Sequence, residues 1–250
     1  MNFKDYDYRE RKKKVTEILD NTDEVKEVDK FPKEDNFTYT NGYKAFASAI
    51  FVDLRDSTTL FLGDNDVDIS KVIRGFTSEI IEILRKDTDD DLKEIGIRGD
   101  CVYAVYSTQY KTETYDVAYR AFYINTYMSM LNKLLEERGL PNIKAGIGLA
   151  CSETLAVKAG RKSSGINNLV WIGDSVAKAA KLSDLGNKKG IRPIVMSSVF
   201  YNNYMDIQKE KKPNAESWYT KETDENYGTY YHGSIVISGF NDWIKEGMKD

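Results

Sequence analysis

The spacing of apolar positions predicts most of the elements of this chain before any chemistry is considered. Residues 45–52 (Ala-Phe-Ala-Ser-Ala-Ile-Phe-Val) form an apolar run that suits a buried strand, and Asp53 ends it. Ile69, Val72, Ile73, Phe76, Ile80, Ile83 and Leu84 recur every three or four positions, as on one face of a long helix. Residues 92–107 read as a hairpin, because two strand-like runs flank the turn dipeptide Gly99-Asp100. Val117, Ala121, Ile124, Met128, Leu131 and Leu135 predict a second long helix over 115–139, closed by Gly139 and Pro141. Residues 143–151 are a glycine-bearing apolar strand and 168–172 a shorter one. Gly173-Asp174-Ser175 then opens a helix over 176–182, with Asp174 or Ser175 as its N-cap. Residues 192–199 and 230–237 complete the strands, with Phe240 and Trp243 packing afterwards.

The rest of the chain is polar. Residues 6–30 carry Val15, Ile18, Leu19, Val25 and Val28 at roughly helical spacing, which predicts a surface helix suited to a dimer arm. Residues 32–42 hold Pro, Asn and Gly and read as a linker. Residues 87–91 are a solvated acidic loop, and 205–226 a surface excursion. The expected division is an N-terminal helix and linker (1–42), one main domain (43–240) and a tail (241–250). The element order is α+β, with one mixed sheet and helices upon it.

Composition narrows the chemistry. The 250 residues are 41% hydrophobic, enough for one sizeable domain. A net charge of −4 disfavours a nucleic-acid binder that works through a basic surface. No apolar run reaches the roughly 18 residues of a membrane span, and the N-terminus has no signal-peptide core, so a cytoplasmic protein is expected. Cys101 and Cys151 lie in apolar strands and His232 is the single histidine, so any metal should be held by oxygen.

Two carboxylates then stand out. Asp53 ends a strand, and Arg55, Asp56, Ser57 and Thr58 follow as a helix start; backbone N–H groups there suit phosphate oxygens. Asp100 sits at the hairpin turn. Read locally, each Asp has a plain alternative, a helix cap for Asp53 or Asp56 and a turn residue for Asp100. If the two strands are neighbours, however, both side chains share one sheet end. Paired Asp residues without a nearby His are what a two-Mg²⁺ nucleotidyl-transfer site needs.

With these pieces in order the chain resembles the class III nucleotide cyclases. The matching stretches are Phe51-Val-Asp-Leu-Arg-Asp-Ser-Thr-Thr-Leu60, Arg98-Gly-Asp-Cys-Val-Tyr-Ala-Val105, Ala145-Gly-Ile-Gly-Leu-Ala150 and Trp171-Ile-Gly-Asp-Ser-Val-Ala-Lys-Ala-Ala-Lys-Leu182. The resemblance implies a ferredoxin-like, palm-type fold and a head-to-tail homodimer with composite sites. It makes Asp53 and Asp100 the ligands of two Mg²⁺ or Mn²⁺ ions, and Leu54, Arg55, Asp56, Ser57 and Thr58 the substrate-phosphate segment. Lys158, Arg161 and Lys162 either touch phosphates or only solvate a loop.

Departures from the family pattern bear on the substrate. The position where purine cyclases carry a base-reading Lys or Glu is Gly96, and their second reader falls at Val170. The helix Asn and the transition-state Arg are replaced by Ala177 and Lys181, the latter keeping only the charge. Arg98 shares a strand face with Gly96 and can donate to a base carbonyl, while Trp171 either narrows the pocket or belongs to the core. These changes resemble the pyrimidine cyclases of Pycsar anti-phage systems, whose cyclic nucleotide is read by a separately encoded effector. The expected substrate is UTP. The alternatives are CTP, a purine cyclase with relocated readers, and an inactive nucleotide-binding module.

Overall fold

The structure is a computed structural model that describes residues 6–57, 65–88, 90–160 and 167–249. Its axis is β2 (Gly42–Leu54), which follows α1 (Tyr8–Asp20) and the short β1 (Val25–Glu27). Side chains alternate across a strand, and both faces of β2 are used. Ile50 and Val52 turn to one side, where they meet α2 (Asp66–Arg85), α3 (Lys111–Glu136) and a later helix, Ser198–Lys211, in the main core. Ala45, Ala47, Ala49 and Phe51 turn to the other. That second face also carries Asp53.

The sheet order is β3-β4-β2-β5-β7-β9-β8, with β1 on β2 and β6 on β5. Here β3 is Leu92–Arg98, β4 Cys101–Ser107, β5 Ala145–Gly160, β6 Asn167–Ile172, β7 Ile194–Ser197, β8 Tyr219–Asp224 and β9 Gly228–Gly233. The expected mixed sheet flanked by helices is present, since β5 and β7 run parallel among antiparallel neighbours.

Helix α4 (Asp174–Ser183) lies across the second face, against β5 and β2. Gly146 and Gly148 allow this close approach. A Cβ at Gly148 would strike the Ala179 carbonyl and Ser183 backbone of α4, and one at Gly146 would strike the Ser183 carbonyl.

Several expectations are corrected. Helix α1 stops at Asp20 and buries no residue; Val25 belongs to β1, not to the helix. The linker is no linker, because Phe31 and Phe37 are buried with Ala45, Ala47, Val105 and Ala156 against the second face. A boundary at residue 42 therefore does not follow the packing. The stretch read as a strand over 192–199 ends at Ser197, whose hydroxyl caps α5 (Ser198–Lys211). The supposed surface excursion contains the second half of α5, where Met205 and Gln208 are buried, and strand β8. The last strand stops at Gly233, and α6 (Ser238–Lys245) runs through the expected start of the tail, with Ile244 buried. The N-cap of α4 is Gly173, and the Ser175 N–H is satisfied by the Ser152 hydroxyl of β5 at 2.8 Å. No helix among the described residues is long and apolar enough to cross a membrane.

Candidate active site

Asp53 comes to the site on β2 and Asp100 on the turn between β3 and β4. The β2–β4 register pairs Asp53 with Cys101, and the Leu54 N–H donates to the Asp100 carbonyl at 3.4 Å. The two acidic residues thus stand at one sheet end. Their charges are coupled. Burial is the main cause that lifts the Asp53 carboxyl above its ordinary pKa; Arg55 pulls it down and Asp100 pushes it up.

Arg55 holds this arrangement from below. Its Nη2 donates to Asp53 Oδ2 at 2.7 Å and to the Ser183 carbonyl at 2.5 Å, and its Nη1 donates to the Asp184 carbonyl at 3.1 Å. The side chain is only 3% exposed. A cation on the final carbonyls of α4 is favourable on two counts, since those carbonyls lack intrahelical donors and carry the negative end of the helix dipole. The guanidinium therefore points into the protein and positions Asp53. The backbone N–H groups of Leu54 and Arg55 are likewise taken, by the carbonyls of Asp100 and Lys144. Asp56, exposed at φ 55°, and Ser57 remain as the described part of the phosphate segment. Thr58 lies outside the described residues, as do Arg161 and Lys162. Lys158 pairs with Glu34 at 3.6 Å.

The donor set fits a hard divalent cation. Asp100 accepts no hydrogen bond from a described side chain, and Asp53 keeps Oδ1 clear of Arg55. Among the described residues no group of three or more His, Cys, Asp or Glu could hold a metal. Two carboxylates completed by water and substrate phosphates is the usual Mg²⁺ arrangement. Cys101, opposite Asp53, is no competing thiolate, because burial and the Asp53 charge push its pKa up to about 12.

Lys181 and Ala177 are exposed on α4, four residues apart and so on one face. Lys181 forms no ion pair with a described residue.

The vacancy expected at Gly96 is filled. Gly96 pairs across the hairpin with Tyr103, and a Cβ on Gly96 would stand 2.7 to 2.8 Å from the Tyr103 ring and hydroxyl. Tyr103 stacks on Phe51, with ring centroids 5.1 Å apart. Its hydroxyl donates to Glu94 Oε1 at 2.5 Å, and Trp171 Nε1 donates to Glu94 Oε2 at 2.5 Å. The Trp171 ring meets Phe31 edge-on at 5.0 Å. Trp171 is thus half-buried and tied to Glu94, while Arg98 and Val170 are exposed. Sequence reasoning missed Glu94 and Tyr103. Glu94 shares a strand face with Gly96 and Arg98, which is the one local signal that pointed to it.

No family model matches the chain. Two curated proteins named uridylate cyclase are similar to it over nearly its whole length. The one from Treponema porcinum is 44% identical over 245 residues, 98% of this chain and 83% of that protein. The one from Gulbenkiania mobilis is 30% identical over 254 residues, 97% of each. Among solved structures, the adenylyl cyclase CyaB from P. aeruginosa gives a TM-score of 0.62 at 14% identity, covering 77% of this chain and 95% of that one. A class III adenylyl cyclase-like ATP-binding protein from Pseudomonas aeruginosa gives 0.68 at 13% identity, covering 94% and 48%. At such identities the likeness concerns the fold, which is the class III cyclase fold.

Proposed function

The chain belongs to the uridylate cyclases, nucleotide cyclases of the class III fold, and from that premise we propose that it converts UTP to 3′,5′-cyclic UMP and pyrophosphate. The ribose 3′-hydroxyl attacks the α-phosphorus of the same molecule. The new P–O bond forms as the bond to the β-phosphate oxygen breaks, and the hydroxyl proton passes to solvent. Because the nucleophile is tethered, positioning and electrostatics account for most of the rate. The observation that carries the proposal is the meeting of Asp53 and Asp100 at one sheet end.

Asp53 and Asp100 would hold Mg²⁺ or Mn²⁺, two ions to a site. Bound there, the ions neutralise phosphate charge and lower the pKa of the attacking hydroxyl. Arg55 fixes the Asp53 rotamer through a buried 2.7 Å bond. Asp56 and Ser57, with Thr58 beyond them, receive the phosphates, and Lys181 offsets the charge that grows on the α-phosphate. Lys181 and the base pocket of one subunit complete the metal site of the other, in a homodimer with two equivalent composite sites. By resemblance to the Pycsar cyclases, the product is an anti-phage signal read by a separately encoded effector.

Incubation with Mn²⁺ and each of the four labelled nucleoside triphosphates tests this. Cyclic UMP and pyrophosphate from UTP are expected. Nucleotide binding without pyrophosphate release from any of the four would sink the enzyme assignment.

A further inference from the structure

The face of the sheet that carries Asp53 also carries a polar cluster built from β3, β4 and β6. Phe51 lies two residues before Asp53 on the same side of β2, and Tyr103 stacks upon it. Beside Tyr103 is a cavity of about 410 Å³ lined by Lys93, Glu94, Gly96, Asn168 and Leu169. Volumes of this order hold small ligands.

The hydrogen bonds in the cluster leave little freedom. Indole N–H can only donate, so Trp171 must give its proton to Glu94 Oε2. As a carboxylate Glu94 can only accept, so the Tyr103 hydroxyl must give its proton to Oε1. Burial first and the Glu94 contact second push the Tyr103 pKa up to about 12, which keeps that proton in place at neutral pH. The phenol oxygen is left with lone pairs alone. A tyrosine that could present either a donor or an acceptor has been made an acceptor.

We propose that Tyr103, oriented by Glu94 and Trp171, is the residue that reads the pyrimidine, its oxygen accepting the N3–H of uracil. Cytosine carries a lone pair at N3, which would face the lone pairs of the phenol oxygen. Arg98 is close enough to act on Tyr103 electrostatically and is two residues from Gly96 on the same face, so its guanidinium can donate to a uracil carbonyl. A carbonyl suits that donor and the cytosine amino group does not. On this reading the Tyr103 ring, packed over Gly96, takes up room that a purine's second ring would need. Gly96 is therefore required by Tyr103: any side chain there would displace the ring. This inference rests on UTP as the substrate.

The test uses the full-length protein with UTP and CTP, reading kcat and KM for each. Tyr103→Phe keeps the ring and removes the oxygen. Its UTP kcat/KM should fall about 10- to 100-fold, mostly through KM, while CTP changes little, so the selectivity ratio collapses. Glu94→Gln reverses the cluster. The glutamine carbonyl keeps the Trp171 bond, its amide donates to the Tyr103 oxygen, and the phenol proton turns to the cavity. Turnover of CTP should then rise relative to UTP. Equal losses on both substrates in both variants, tracking a lower melting temperature, would mean a structural role and overturn the assignment. A wild-type enzyme that cyclises CTP in preference to UTP would instead remove the reading beneath it. A UTP-selective wild type with unchanged ratios in the variants would overturn Tyr103 alone.

Discussion

Arg55 donates to Asp53 at 2.7 Å while the same nitrogen donates to the Ser183 carbonyl at 2.5 Å, so one buried guanidinium joins β2 to the C-terminus of α4. Removing it leaves Asp53 half-buried beside Asp100 with no cation against it, and strands the final carbonyls of the helix. Arg55→Met should lower stability by about 3 kcal/mol, near the lower end for a broken buried pair. It should also cut kcat at least tenfold with little change in the KM for UTP, since Arg55 faces away from the substrate. Urea melts and steady-state kinetics check both.

The two acidic residues should separate by stability although loss of either should abolish turnover. Asp100→Ala removes a carboxylate without a hydrogen-bond donor among the described side chains, so its stability should stay within about 0.5 kcal/mol of wild type. Asp53→Ala leaves the buried Arg55 with backbone carbonyls and the exposed Asp184 carboxylate at 3.3 Å, and should cost about 2 kcal/mol, discounted because Asp53 is 25% exposed. Pyrophosphate release should fall at least about 100-fold in each.

Lys181 tests the composite site. It is exposed, so Lys181→Ala should fold as wild type and lose kcat, and Lys181→Arg should restore it. Mixing Lys181→Ala with Asp100→Ala, each inactive alone, should recover about a quarter of wild-type activity, because half of the randomly formed dimers carry one intact site. Recovery after unfolding and refolding the mixture, with none before, would mark subunit exchange as the cause.

His232 should give the protein a pH-dependent stability. The ring is buried, and its Nδ1 accepts from the Arg192 N–H at 3.0 Å. Burial lowers its pKa below the ordinary 6.5; Glu222, 4.0 Å away, opposes the shift and Arg192 adds to it. The unfolded chain therefore binds the proton more readily, and stability rises with pH across that window. The contribution is full above about 6.5 and is lost as pH falls through the folded value. His232→Asn, whose side-chain oxygen can replace Nδ1, should flatten this slope in urea midpoints taken from pH 5 to 8.

The Tyr103 cluster shows where local reasoning stops. Gly96 stood out as a departure from the purine-cyclase pattern, and Arg98 was placed beside it by strand periodicity alone. The residue that fills the space, Tyr103, is five positions beyond Arg98, across the turn. Its effect depends on Trp171, 77 residues from the Glu94 it contacts. No periodicity links those positions.

Tyrosine also explains why the helix over 198–211 was misread. Residues 201, 204 and 219 count as polar in a pattern, yet Tyr204 is fully buried and Tyr201 stacks on Tyr231 at 3.6 Å. An amphipathic ring can bury its body and keep a partner for its hydroxyl, so a tyrosine-rich stretch hides its apolar face.

What the amino-acid sequence determined by itself was the succession of elements from β2 to α4, the turn at Gly99-Asp100 and the two acidic residues that end up together. Those follow from spacing and turn chemistry, which act over a few residues. The tertiary structure alone decided that Arg55 turns inward, that Phe31 and Phe37 cover the sheet, and that Glu94 is shared by Tyr103 and Trp171. Each of these depends on which distant groups compete for a buried donor or acceptor, and only the packed chain brings those competitors within reach.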